Sequence, residues 1–178
     1  FTRCNAIDAV KIDSPLTDME LAAFPCAAST ALGLLRRTGL ETGESVLING
    51  ASGGVGSFAV QIAAHWGCHV TAVTSPSKRD FVLGIGAENT LDRDQTPPEN
   101  SFDVVVDIVG GSDWPKLLDA LRPGGRYGTS GAIAGPIVEL DLRTLYLKDL
   151  TLVGSTWQPP GLFEDLVKLI EEGALQPN

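Results

Sequence analysis

The chain has 178 residues, 43% of them hydrophobic and 20% charged, the balance of a folded domain rather than a disordered segment. Thirteen lysines and arginines against 22 aspartates and glutamates leave a net charge of −9, which excludes a broad electrostatic grip on nucleic acid or anionic lipid. No apolar run approaches the roughly 20 residues that span a bilayer. Three scattered cysteines (Cys4, Cys26 and Cys68) do not suggest a disulfide framework and fit a reducing, cytoplasmic compartment. The chain opens at Phe1, with no initiator methionine and no signal peptide, and reads as a piece of a longer protein.

Residues 9–12 form a strand-like patch before a boundary at Ser14-Pro15. Thr17 and Glu20 have the spacing of a capping box. The pattern predicts a helix over 25–38, with Pro25 in its first turn and Gly39 ending it. From residue 44 strands and helices alternate: a strand over 45–49, a helix over 54–66, a strand over 69–74, a short helix over 77–83 and a strand over 88–91. Residues 102–108 are apolar in the manner of a strand buried on both faces. A helix over 115–121 leads to a turn at Pro123-Gly124-Gly125, then come strands over 126–129 and 150–154 and a helix over 162–172 stopped by Gly173. Such an order predicts an α/β, Rossmann-type doubly wound parallel sheet of about six strands with helices on both faces.

The first of these strands runs into Gly50-Ala51-Ser52-Gly53-Gly54-Val55-Gly56, and a helix follows at once. Small residues in that position let the backbone approach a pyrophosphate and offer it amide N–H groups, while the helix N-terminus adds partial positive charge. Against the usual G-x-G-x-x-G, Ala51 takes the first place, followed by Gly53 and Gly56. The same stretch satisfies the nucleophile-elbow pattern G-x-S-x-G, but no histidine follows His69 to act as base, which excludes a hydrolase of that type. No Gly-Lys-Ser/Thr follows, which excludes a kinase-type phosphate loop.

An acid ending the second strand would bind ribose hydroxyls and favour NAD. This strand instead runs into Thr74-Ser75-Pro76-Ser77-Lys78-Arg79, whose hydroxyls and two cations suit a 2′-phosphate, with Arg93 placed to join them. NADP(H) is therefore favoured over NAD(H). The missing acid also speaks against an S-adenosylmethionine methyltransferase.

Further segments carry a resemblance: 41–48, Gly84-Ile85-Gly86-Ala87-Glu88, Asp103-Val104-Val105-Val106-Asp107, Leu121-Arg122-Pro123-Gly124-Gly125 and 148–155. With the glycine turn, they make the chain similar to the medium-chain dehydrogenase/reductase superfamily, the zinc-type alcohol dehydrogenase-like proteins, and in particular its quinone-oxidoreductase-like branch. The resemblance implies a two-domain NAD(P)H enzyme, a GroES-like catalytic domain beside a nucleotide-binding domain, assembled as a homodimer or tetramer. Residues 1–16 would be the tail of the catalytic domain and 17–178 the NAD(P)-binding Rossmann domain. By the same resemblance Gly53, Gly54, Val55 and Gly56 hold the pyrophosphate, and Ser75 and Lys78 the adenosine phosphate. Arg93 falls where many members carry tyrosine. Val109 and Ser130-Gly131-Ala132 flank the nicotinamide half, and Thr30 lies near the ring.

Zinc-dependent members place a ligand cysteine near the position of Cys26. The quinone-reductase-like branch usually lacks one, and a single thiolate is not a site, since catalytic zinc takes three protein ligands. Cys26 is therefore read as a small buried cysteine, and zinc is not expected. His65, Cys68 and His69 read as surface residues, Trp66, Trp114 and Trp157 as packing, and Glu171-Glu172 as a solvated helix end. Asp103 and Asp107 bracket a buried strand, and Asp107 at its carboxyl end suits either a structural or a catalytic role. The expected reaction passes hydride from NADPH to a quinone, enone or related small carbonyl compound, with no catalytic residue assigned and the fragment alone inactive. A zinc alcohol dehydrogenase and a nucleotide-binding module without turnover are the alternatives.

Overall fold

Parallel strands cannot be joined by tight turns, and the helices interleaved between them supply the crossovers. The computed structural model describes residues 3, 5 and 9–177. In it β1 (Ser45–Asn49), β2 (His69–Thr74), β3 (Asn89–Asp92), β4 (Phe102–Asp107), β5 (Leu121–Thr129) and β6 (Thr151–Gly154) pair in parallel in the order β3-β2-β1-β4-β5-β6. Sheet growth reverses between β1 and β4, the switch point at which doubly wound sheets leave a crevice. The register sets Asn49 beside Asp107 and beside Val73, so three strands end together there.

The helices are α1 (Asp18–Leu21), α2 (Phe24–Arg37), α3 (Gly54–His65), α4 (Arg79–Gly84), α5 (Trp114–Ala120), α6 (Leu142–Leu147) and α7 (Leu162–Glu171). Alternate residues of the central strands face opposite layers. Val46, Ile48, Val104 and Val106 join the buried side chains of α2, α3 and α7, where Phe24 and Phe58 stack with ring centres 5.2 Å apart. Leu47, Val105 and Tyr127 meet Trp114, Leu117 and Leu118 of α5 on the other face. Burial on both faces is why β4 is apolar throughout its centre. Among the described residues no helix is long and apolar enough to cross a membrane.

Several elements differ from expectation. Residues 9–12 form no strand; Ile12 and Leu16 instead lie against the core, and the Asp13 N–H reaches the Glu171 carboxylate at 2.8 Å. The capping box is present, but α1 behind it lasts four residues. Pro76 opens a 3-10 turn, Pro76–Lys78, that delays α4 to Arg79. β5 starts at Leu121: Phe102 pairs with Leu121 and Val104 with Arg126, so the Pro123-Gly124-Gly125 turn is a bulge inside the strand. Helix α6, capped by the Asp141 side chain on the Arg143 N–H, is not expected from the sequence; none of its residues is buried, so no apolar periodicity marks it.

Gly128 of β5 lets α2 lie flat on the sheet, since a Cβ there would stand 2.9 Å from Leu34 Cδ1 and closer still to Thr38 Cγ2. Gly128→Ala should therefore cost about 1–3 kcal/mol by overpacking. Urea unfolding measures it, and an unchanged midpoint would show that α2 can move aside.

Candidate cofactor-binding site

The carboxyl end of β1 turns at Gly50, whose φ of +84° is the left-handed region that favours glycine. The Gly53 N–H returns to the Gly50 carbonyl at 3.1 Å, and Gly53 then caps α3 in extended conformation. A Cβ on Gly56 would lie 2.7 Å from the Gly50 carbonyl carbon and 2.8 Å from Ala51 Cα. Packing of the helix on its own turn therefore dictates glycine at 56. Gly54 is different, since a Cβ there would meet Ala27 Cβ at 3.5 Å, an ordinary contact. Gly53 and Gly54 are exposed, and no side chain caps α3. The first amides of the helix, at Gly54, Val55 and Gly56, have no intrahelical acceptor, and the helix dipole points its positive end at the same place.

A cleft of about 610 Å³ opens beside this turn. Asn49, Gly50 and Gly53 form one side, Arg93, Gln95 and Pro97 beyond β3 another, and Val109, Gly110, Ile133 and Ala134 the far wall. Of the residues expected at the site, Gly53, Arg93 and Val109 line it. Gly54, Val55 and Gly56 follow Gly53 in the first turn of α3. Ser130, Gly131 and Ala132 do not line the cleft, although their neighbours Ile133 and Ala134 do. Thr30 sits half-buried on α2, its hydroxyl donating to the Cys26 carbonyl at 2.7 Å, away from the cleft lining. Two buried hydroxyl oxygens near the carboxyl edge, Thr74 Oγ1 and Ser130 Oγ, have no hydrogen-bond partner among the described residues, which fits a site built for a polar ligand.

Beyond β2, Ser75 Oγ lies 3.2 Å from Ser77 Oγ, and neither Ser75 nor Lys78 lines the cleft. Lys78 is exposed and in no ion pair among the described residues. Arg79, expected as a second phosphate cation, is instead bound to Asp92 at 2.9 Å. Asn49, Gln95, Gly110, Ser112 and the ion-paired Asp113 and Lys116 also line the cleft and are not expected there from the sequence. Only Asn49 carried a signal, as the polar residue ending a buried strand at the switch point.

Asp107 is wholly buried and accepts from Tyr127, Asn49 and two backbone N–H groups, the structural one of its two expected roles. Asp103 accepts from the Ser45 N–H and from Arg122 at the opposite edge of the sheet. Trp157, expected to pack, is 61% exposed. Cys68 is buried rather than at the surface. Its Sγ is 3.3 Å from the Glu41 carbonyl oxygen, and burial, then the Glu44 charge, push its thiol pKa up. Cys26 is exposed rather than buried. Among the described residues no three His, Cys, Asp or Glu side chains converge as for a metal, so Cys26 has no companion ligands and these residues do not by themselves make a zinc site.

Two glycines thus differ in what they are for. Gly56→Ala should cost about 3 kcal/mol or more, because backbone must shift. Gly54→Val should keep the fold yet abolish dinucleotide binding. Thermal unfolding with NADPH fluorescence titration checks both; a Gly54→Val chain with unchanged affinity would remove the turn from the site.

The family model for zinc-binding dehydrogenases matches residues 54–172. The chain is 32% identical over 173 residues to acryloyl-coenzyme A reductase of Metallosphaera sedula, covering 94% of this chain and 52% of that protein. The solved structure of a cobalt- and zinc-bound thermostable alcohol dehydrogenase from Pyrobaculum aerophilum superposes with a TM-score of 0.79 at 34% identity, covering 88% of this chain and 48% of that one. The 2-octenoyl-CoA carboxylase reductase CinF, solved with NADP and 2-octenoyl-CoA, gives a TM-score of 0.88 at 25% identity, covering 97% of this chain and 45% of that one. The chain thus spans about half the length of the relatives it matches. With its six-stranded doubly wound sheet and glycine turn, it belongs to the zinc-binding dehydrogenase family, within the medium-chain dehydrogenase/reductase superfamily.

Proposed function

We propose that this chain is the cofactor-binding half of an NADPH-dependent oxidoreductase that passes hydride to a quinone, enone or related conjugated carbonyl compound. The observation that carries the reading is the start of α3, exposed at Gly53 and Gly54 and without a side-chain cap among the described residues, beside a cleft at the switch point. The amides at Gly54, Val55 and Gly56 would receive the diphosphate. Asn49 and Val109 would flank it, and Arg93 would close the adenosine side. When bound, the cofactor supplies the hydride, and the protein contributes orientation and exclusion of water. Acryloyl and 2-octenoyl thioesters, named for two relatives, carry a C=C bond conjugated to a carbonyl, the same electronic pattern as an enone. Residues 1–16 are read as the tail of a catalytic domain and 17–178 as the cofactor domain. The exposed Cys26 fits a reducing, cytoplasmic setting.

The second reading is a zinc-dependent alcohol dehydrogenase. It is favoured by the exposed thiol of Cys26 and by the zinc-bound relative. Its ligands other than Cys26 would come from outside the described residues, and zinc content of the enzyme before and after Cys26→Ser tells the two apart. A module that binds nucleotide without turnover would titrate with NADPH yet oxidise none of it.

Preference for the 2′-phosphate rests on Lys78, a cation after β2 with no ion-pair partner among the described residues, where no acid ends the strand. Lys78→Glu should weaken NADPH about tenfold or more and NADH by less than about threefold. Equal losses in the two titrations would remove the phosphate role.

A homo-oligomer is part of the same proposal. β6 lies at the edge of the sheet among the described residues, and Leu142, Tyr146, Leu147 and Leu152 are exposed. Light scattering of the full-length enzyme should report a dimer that Leu152→Lys returns to monomer, and a monomeric full-length enzyme would count against it.

A further inference from the structure

Asp107 ends β4 fully buried, and its carboxylate is held by neutral donors. Oδ1 accepts from Asn49 Nδ2 at 2.9 Å, from the Val109 N–H at 2.9 Å and from the Gly110 N–H at 3.1 Å. Oδ2 accepts from Tyr127 Oη at 2.6 Å and shares the Gly110 N–H at 3.2 Å. Burial, then the Asp107 charge, push the Tyr127 phenol pKa far up, so Tyr127 remains a donor. Every partner donates, and both oxygens act only as acceptors.

Burying a carboxylate without a cation is costly, and an apolar side chain would fill the same space at less cost. What the carboxylate adds is simultaneous acceptance of two successive backbone N–H groups, which fixes the chain just beyond β4. Val109 and Gly110, so held, line the cleft. A Cβ on Gly50 would stand 3.0 Å from Val109 Cγ2, so this segment abuts the glycine turn. The Ala134 N–H donates to the Val109 carbonyl at 2.8 Å and the Gly111 N–H to the Gly135 carbonyl at 3.1 Å, which ties the segment to the wall after β5.

We infer that Asp107 is a positioning residue: through the Val109 and Gly110 amides it sets the far wall of the cleft at a fixed distance from the glycine turn, so that the dinucleotide enters a preformed site. This rests on the cofactor reading above. A merely structural carboxylate would make affinity loss track stability loss in every variant. A positioning one makes affinity track the state of the 109–110 segment.

The test titrates the 178-residue chain with NADPH and with NADH by fluorescence, well below the melting temperature of each variant. Asp107→Ala should weaken the tighter-binding nucleotide about tenfold or more, and Asp107→Asn, whose amide oxygen still accepts from Val109 and Gly110 while its NH2 donates to the Tyr127 hydroxyl oxygen turned to accept it, should restore it to within about threefold. Gly110→Ala moves the same segment while the carboxylate is retained, since Gly110 has φ +64° and a Cβ would stand 2.9 Å from the Gly135 carbonyl oxygen. It should mimic Asp107→Ala, and it serves if that variant does not fold. Leu166→Ala, in the core of the opposite layer, should lower the melting temperature and leave affinity unchanged. If Gly110→Ala and Asp107→Ala bind like the unsubstituted chain, or Leu166→Ala weakens binding as much as they do, the positioning role falls and the cofactor reading stands. If the unsubstituted chain binds neither nucleotide, the cofactor reading falls and takes the positioning role with it.

Discussion

The closest constraint in the molecule is the seating of α3 on the turn that precedes it. At Gly56 the helix approaches the Gly50 carbonyl so nearly that no side-chain carbon fits between them. Because the turn is that tight, the free amides at the start of α3 are brought to the carboxyl edge of β1, beside the ends of β2 and β4. A longer or looser connection would leave the same amides hydrated and pointing elsewhere. The placement of these amides at this edge is therefore a packing result before it is an electrostatic one.

The switch point adds a second constraint. Asn49 and Asp107 end β1 and β4 side by side, β2 runs one residue past Val73 on the other side of Asn49, and the segments leaving these strands diverge. The chain after β1 leaves through the glycine turn, and the chain after β4 bends away at Gly110 and Gly111, both at positive φ. The cleft is the gap between these two departures. At the start of the second departure the buried Asp107 carboxylate accepts from the Val109 and Gly110 N–H groups, beside the otherwise apolar layer of Trp114 and Tyr127.

Each element is legible in sequence to the extent that burial or close approach marks its residues. Strand β4 and helix α7 carry long apolar patterns set by burial, and the sequence places their limits to within one or two residues. The glycine turn is legible because a close approach removes side chains altogether. Helix α6 has no buried residue and the β5 bulge is a pairing event, so neither leaves a local pattern. At the site, Arg79 shows the limit most clearly: its neighbourhood with Lys78 suggests a pair of phosphate cations, but its partner Asp92 lies on another strand. Sequence reverses the burial of Cys26 and Cys68, because a cysteine looks the same in sequence on either side of a protein surface.

The charge balance bears on the same point. A protein of net charge −9 repels a polyanionic ligand at long range, so attraction must be local and must outweigh that field within a Debye length, about 8 Å at physiological salt. Much of the cationic surface is spent on acidic neighbours: Arg36 on Asp165, Arg79 on Asp92, Arg122 on Asp103, Arg126 on Glu44 and Arg143 on Asp141. Arg93, in the cleft lining, and Lys78, just beyond β2, have no such partner among the described residues. Together with the uncapped end of α3 they concentrate uncompensated positive charge at one edge of an acidic molecule. An anion would therefore meet less repulsion at that edge than over the acidic remainder of the surface.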